Sequence, residues 1–107
     1  MNVYRRDLKP DLTITCTDNG TPVNLTTTTA QRIIGKKDGA VLFDRAPTSS
    51  TLASGVVTML WQTADLATSG EIQVEVEVMW PGSKPQTFVP RTAEGARENI
   101  TVLPDIA

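Results

Sequence analysis

The sequence predicts an all-β protein, an immunoglobulin-like antiparallel β-sandwich of about seven strands, and three observations carry that prediction. Sixteen Thr, ten Val and six Ile make 32 of the 107 residues β-branched, and their stiff χ1 favours pleated sheet over helix. Residues 71–78 (EIQVEVEV) alternate Ile72, Val74, Val76 and Val78 with Glu71, Gln73, Glu75 and Glu77, the period of a strand with one wet face. Turn signals recur about every 8–12 residues, and no stretch between them shows the 3.6-residue apolar period of a helix.

Leu12, Ile14 and Cys16 alternate with Thr13, Thr15 and Thr17, which predicts a first half-buried strand. Asp18-Asn19-Gly20 ends it, because Asn and Gly tolerate positive φ, and Pro22-Val23-Asn24-Leu25 restarts an extended segment. Residues 31–37 (QRIIGKK) read as a second strand. Adjacent Ile33 and Ile34 leave its inward face open, and Gly35 marks a candidate bulge. The Asp38-Gly39 pair between apolar runs is a hairpin signal, and residues 40–45 (AVLFDR) follow with Val41 and Phe43 expected inward.

Residues 47–54 are a Ser/Thr loop with room for one short edge strand. Residues 55–62 (GVVTMLWQ) form the next strand, with Val57, Met59 and Trp61 on its larger face. Residues 63–70 (TADLATSG) break the pattern and suit one helical turn capped by Thr63 and closed at Gly70. After the alternating strand, residues 80–85 (WPGSKP) turn the chain. Residues 86–91 (QTFVPR) return with Phe88 inward and Pro90 at an edge or strand end, and residues 99–103 (NITVL) close the sheet with Ile100 and Val102 inward. The expected organisation is a single domain over 1–107: an N-terminal arm at 1–9, the sandwich at 10–103 and a tail at 104–107.

Ten Lys+Arg against twelve Asp+Glu give a net charge of −2, an ordinary globular balance. The N-terminal ten residues hold Arg5, Arg6, Asp7 and Lys9 and lack an apolar core, so no secretory signal is expected there. Residues 46–64 are free of charge but contain Pro47, Gly55 and several Ser and Thr, so no membrane span is expected. The single cysteine, Cys16, cannot form an internal disulfide. Asn24-Leu25-Thr26 and Asn99-Ile100-Thr101 match the glycosylation acceptor pattern, as chance allows in a Thr-rich chain.

The absence of histidine excludes Ser-His-Asp and Cys-His catalysis and removes the commonest zinc ligand. Cys16 is in phase with Leu12 and Ile14 and reads as a small buried apolar side chain. Glu71, Glu75 and Glu77 share one strand face, with next-but-one Cβ atoms about 7 Å apart. That spacing is within a glycosidase's reach, but the stripe reads better as a solvated or subunit-pairing face that Lys and Arg from a neighbour can meet.

Asp18-Asn19-Gly20 and Asp38-Gly39 lack the ligand run of a calcium loop and read as turns. Arg5, Arg6 and Lys9, and the pair Lys36 and Lys37, are not interleaved with aromatics, so nucleic-acid binding is not expected. No catalytic residue, cofactor or metal ligand is predicted. The N-terminal arm, with Tyr4 between charged residues, is expected to dock on a neighbouring subunit. Trp61 reads as core, while Trp80, where a strand meets Pro81-Gly82, either covers the end of the sandwich or anchors a contact. Candidate partner contacts are therefore Tyr4, Arg5, Arg6, Glu75, Glu77 and Trp80.

The order of pieces is itself informative: Asp7, Pro10-Asp11-Leu12, Thr21-Pro22-Val23-Asn24-Leu25-Thr26, the Lys37-Asp38-Gly39 hairpin, Gly55-Val56-Val57, Trp61, Asp65, Ala67-Thr68, Gly70-Glu71-Ile72, Thr87-Phe88-Val89-Pro90 and Ile100-Thr101-Val102. From about Asp7 to Val102 this resembles the small immunoglobulin-like domain of tailed bacteriophages found in the N-terminal part of phage baseplate upper proteins and in short stand-alone virion proteins. The resemblance implies a non-enzymatic structural protein of the virion, made in the bacterial host cytoplasm. It would be an adapter or accessory subunit of tail, baseplate or neck that contacts other phage virion proteins in several copies. Baseplate upper proteins continue into helical linkers and receptor-binding parts where this sequence ends at Ala107, which favours the accessory role over host binding. The alternatives are a capsid decoration or head-fibre subunit, and a carbohydrate-binding adhesion module that takes host glycan.

Overall fold

The structure of the protein, a computed structural model, describes residues 2–5, 11–62, 65–67, 69–90 and 99–103. Its strands are β1 (Asn2–Tyr4), β2 (Leu12–Thr15), β3 (Thr17–Asp18), β4 (Thr21–Pro22), β5 (Ala30–Lys37), β6 (Ala40–Arg45), β7 (Ser49–Thr51), β8 (Val56–Met59), β9 (Gly70–Trp80), β10 (Lys84–Phe88) and β11 (Ile100–Leu103). They form a six-stranded sheet ordered β1-β11-β9-β5-β6, with β10 also on β9, a three-stranded sheet β2-β8-β7, and a β3-β4 hairpin. All pairings are antiparallel except β1 with β11.

Inward residues of both large sheets meet in one apolar core. Leu12, Ile14, Val57 and Met59 come from the small sheet, and Ile33, Phe43, Ile72, Val74, Val76, Val78, Phe88, Ile100 and Val102 from the large one. Cys16, Leu25, Trp61 and Leu66 fill its margins from turns and loops. The protein is thus the all-β sandwich that its alternating segments predict, with Ile33 rather than Ile34 turned inward.

Strand β9 organises the large sheet. One edge pairs with β5 from Ala30↔Met79 to Lys36↔Gln73. The other edge is shared: β10 holds the far half, from Lys84↔Trp80 to Phe88↔Val76, and β11 holds the near half, from Ile100↔Ile72 to Val102↔Gly70. Pro85 and Lys84 lie on β10, which has β9 as its one partner strand, a position where a missing N–H breaks no second ladder. Pro90 falls just beyond the strand's end at Phe88.

The two short turns follow their residues. Asn19 and Gly20 (φ 50° and 81°) close β3-β4, and Asp38 and Gly39 (φ 52° and 79°) close β5-β6, both in the left-handed conformation of tight hairpins.

Four expectations need correction or relocation. Val41 is 61% exposed, not inward. The β5-β6 register slips between Gly35 and Lys36, which pair with Phe43 and Val41, so Leu42 is an extra residue on β6 and reverses the alternation beyond Phe43. The helical turn expected at 63–70 falls partly on residues 63, 64 and 68, outside the described ones. Asp65 and Leu66 form a turn there, with the Asp65 N–H donating to the Gln62 carbonyl at 2.9 Å. The loop expected at 47–54 holds, besides its short edge strand, a 3-10 turn at Leu52–Ser54 that ends at Gly55 with φ 71°.

The fourth concerns the expected arm: residues 2–4 are strand β1, in register Asn2↔Thr101 to Tyr4↔Leu103, and the Arg5 N–H donates to the Leu103 carbonyl at 2.8 Å. An edge of β11 with free backbone groups supplies partners that the sequence of a short polar segment does not announce. Residues 6–9 and the tail at 104–107 lie outside the described residues.

Candidate interaction surface

The outer face of the large sheet carries the glutamate stripe, and its cations come from the neighbouring strand of the same chain. Arg32 on β5 is the direct cross-strand partner of Glu77, and its guanidinium lies 3.5 Å from the Glu77 carboxylate. Lys36 reaches Glu75 at 3.1 Å. From the other side, Asp44 on β6 holds Arg32 through a two-pronged contact, with Nε–H donating to Oδ1 at 2.9 Å. The hydrogen bonds and charge of Asp44, with a smaller contribution from Glu77, push the Arg32 guanidinium further toward its charged form against a small opposing effect of desolvation. The face is therefore a ladder of alternating sign, Asp44, Arg32, Glu77 and Lys36, Glu75, built from the strand order β6-β5-β9.

Glu75 and Glu77 are half-buried among these partners, whereas Glu71 and Gln73 are exposed. The carboxylates sit side by side on an open sheet face and are engaged by cations. They do not face each other across a cleft.

Trp80 ends β9. It is half-buried, packs against the core, and its indole N–H donates to Gln86 Oε1 across the hairpin at 2.8 Å. Tyr4 and Arg5 lie beyond the opposite end of β9, because Tyr4 is in register with Leu103 while Val102 pairs with Gly70. The eleven-residue run from Gly70 to Trp80 separates these ends by about 33 Å at strand rise. Arg6 lies outside the described residues. The predicted contact residues thus form one cluster, Glu75 and Glu77, and two remote points rather than a single site.

Sequence reasoning missed a buried polar joint on the inner side. Arg45, at the end of β6, donates from both terminal nitrogens to Asp65, at 2.6 Å and 2.8 Å, and the Gln62 N–H donates to the same carboxylate at 2.8 Å. Asp65 is buried, and the Arg45 guanidinium lies 5.2 Å from the centre of the Phe43 ring, which meets Trp61 edge-on at 5.9 Å. The Trp61-to-Asp65 spacing is thereby explained as a corner that ties the chain after β8 to the end of β6. The signal was a lone Asp in an apolar loop with no cation near it in sequence.

Cys16 is fully buried, and desolvation pushes its thiol up to about 11, the reverse of what a nucleophile needs. Among the described residues, two shallow polar depressions stand out. One, of about 210 Å³, is lined by Lys36, Asp38, Gly39, Glu71 and Gln73. The other, of about 320 Å³, lies where the β3-β4 turn approaches β10. Among the described residues no group of three or more His, Cys, Asp and Glu could hold a metal ion, and no helix is long and apolar enough to cross a membrane. Comparison with protein-family models, with curated proteins and with solved structures finds no match.

Proposed function

We propose that this protein is a non-enzymatic structural component of a tailed-bacteriophage virion. In this reading it is an immunoglobulin-like adapter or accessory subunit of tail, baseplate or neck that works through contacts with other virion proteins. The observation that supports the immunoglobulin-like part is strand order. Taking β2, β5, β6, β7, β8 and β9 as successive strands B, C, C′, D, E and F, the small sheet reads B-E-D and the large one C′-C-F, with β10 and β11 beside F in the place of G. The residues that carry the phage resemblance fall at the joints of that framework: Thr21-Pro22 in the first hairpin, Asp38-Gly39 in the second, Trp61 and Asp65 in the buried corner, and Gly70-Glu71-Ile72 against Ile100-Thr101-Val102. A sandwich of this kind hosts many roles, so the assignment to a virion rests on the motif order.

Cryo-electron microscopy of particles that carry the protein tests this reading. Density on tail, neck or baseplate is the expected result. Density on the capsid lattice would favour a decoration subunit, and absence from particles would overturn the virion assignment. Saturable binding of host glycan by the isolated protein would favour the adhesion module.

A further inference from the structure

We propose that Asn19 is a site of spontaneous deamidation, at which the Gly20 backbone nitrogen attacks the Asn19 side-chain amide and ammonia is lost. The chain has four asparagines, Asn2, Asn19, Asn24 and Asn99, and Asn19 alone precedes a glycine. The reaction needs a side-chain amide free of hydrogen bonds, a following backbone nitrogen that is uncrowded and unengaged, and a local backbone able to swing that nitrogen onto the side-chain carbon. Asn19 is exposed at the tip of the β3-β4 hairpin, and among the described residues neither its side chain nor the Gly20 N–H has a hydrogen-bond partner. Gly20, with φ 81°, has no atom beyond its chain neighbours within 4 Å of where a Cβ would stand.

The other asparagines lack these conditions. Asn24 Oδ1 accepts from the Thr26 N–H at 3.0 Å and from the Thr26 hydroxyl at 2.7 Å, and the next nitrogen, that of fully buried Leu25, donates to the Leu52 carbonyl at 2.7 Å. Asn2 and Asn99 precede Val3 and Ile100, β-branched residues within β1 and β11, and branching at Cβ crowds a residue's own backbone nitrogen. The Asp38-Gly39 turn has matching φ values, but an ionised carboxylate resists nucleophilic attack and that turn is tied to the long β5-β6 ladder. The β3-β4 hairpin is a sheet of its own with two residue pairs, Thr17↔Pro22 and Asp18↔Thr21, so its tip opens without disturbing the sandwich.

The chemistry balances with water as the only co-reactant. The Gly20 nitrogen bonds to Asn19 Cγ, the Cγ–Nδ2 bond breaks, and Nδ2 leaves as ammonia with the proton that the Gly20 nitrogen gives up, closing a cyclic imide. Water then opens the ring. Cleavage at Cγ leaves an aspartate in an unaltered main chain, and cleavage at the Asn19 backbone carbonyl carbon leaves an isoaspartate, with one extra carbon in the main chain.

Both products add a negative charge to a chain of net charge −2, beside Asp18 and on the rim of the depression where the turn approaches Gln86, Thr87 and Phe88 of β10. The isoaspartate also lengthens a turn that closes on two residues, so the Asp18↔Thr21 pair is lost. The Val23 N–H, which donates to the Cys16 carbonyl at 2.9 Å, holds the base of the hairpin in place. An aged copy therefore differs from a new one in charge and backbone at this hairpin, with the core unchanged. The inference concerns the chain alone and does not depend on the virion reading.

Peptide mapping by mass spectrometry, on the full chain aged in warm, mildly alkaline, ammonia-free buffer, tests it. Expected is conversion at Asn19 to a mixture of aspartate and isoaspartate, at a rate within about a hundredfold of that in the same chain unfolded by denaturant, with the other three asparagines intact and the ammonia released matching the converted fraction. Asn19→Ser, checked for an unchanged melting temperature, releases no ammonia over the same period. Conversion at Asn19 more than about a hundredfold slower in the folded chain than in the unfolded one, or another asparagine keeping pace with Asn19, overturns the proposal.

Discussion

Gly35→Ala tests the packing that fixes the β5-β6 pair. Gly35 faces Phe43 across the two strands, and the aromatic ring lies directly over the glycine. A Cβ built there would stand 2.3 Å, 2.4 Å and 2.8 Å from three atoms of that ring, so the ring must retreat by about 1 Å to regain ordinary contact. It has nowhere to go at low cost: Phe43 is buried, meets Trp61 edge-on at an interplanar angle of 86°, and carries the Arg45 guanidinium near its ring. Overpacking of a filled core costs about 1–3 kcal/mol, and disturbing the aromatic pair adds about 0.5–1.5 kcal/mol.

A destabilisation of about 2–3 kcal/mol is expected, a fall in melting temperature of about 8–15 °C for a domain of this size. Thermal unfolding followed by circular dichroism measures it. The double variant Gly35→Ala with Phe43→Leu supplies the decisive comparison, because removing the ring removes the clash. The two substitutions must then be strongly non-additive, with the double variant more stable than the sum of the single losses predicts. A Gly35→Ala protein melting within about 2 °C of the parent, or additive losses, would refute the reasoning.

The buried corner is tested by Asp65→Ala, which strands the Arg45 guanidinium and the Gln62 N–H and should cost about 3 kcal/mol, while Glu77→Gln, whose partner Arg32 is half exposed, should change stability by less than about 1 kcal/mol. Denaturant unfolding distinguishes them, and equal losses would contradict the burial argument. Cys16 predicts the alkaline limb: its thiol holds its proton to about 11 in the folded chain against 9.0 otherwise. The unfolded state therefore binds fewer protons between those values, and stability falls as pH rises through that window by about 2–3 kcal/mol. Cys16→Ala should flatten that part of the stability profile relative to the parent, and parallel profiles would remove Cys16 as its cause.

Legibility in the sequence followed the length over which a pattern could run. Ile72 to Val78 gave the inward face of β9 unaided, and Leu12, Ile14 and Cys16 gave that of β2, because four or three consecutive period-2 positions leave one consistent phase. The β3-β4 and β5-β6 turns were legible from Asn19-Gly20 and Asp38-Gly39 for a local reason, the need for positive φ. Val41 was misplaced because phase was carried through Leu42. A bulge adds one residue to one strand and is fixed by the partner, here by the Phe43 ring settling over Gly35. Strand β1 and the Arg45-Asp65 joint were illegible for the same kind of reason, since each exists only through a residue about a hundred, or twenty, positions away.

The candidate surface divides along the same line. The sequence placed Glu75 and Glu77 on one face and read it as solvated or subunit-pairing, a face that Lys and Arg of a neighbour can meet, but could not say which neighbour. Strand order decides it: β5 inserts between β9 and β6, so Arg32 and Lys36 neutralise the stripe from within the chain. A partner approaching this face therefore meets a ladder already balanced along β5, with its surplus negative charge at exposed Glu71. One strand further on, Val41 and Leu42 face outward because Leu42 is one residue more than the ladder can hold. The bulge that spoiled the sequence pattern and the outward turn of Val41 and Leu42 are one structural event.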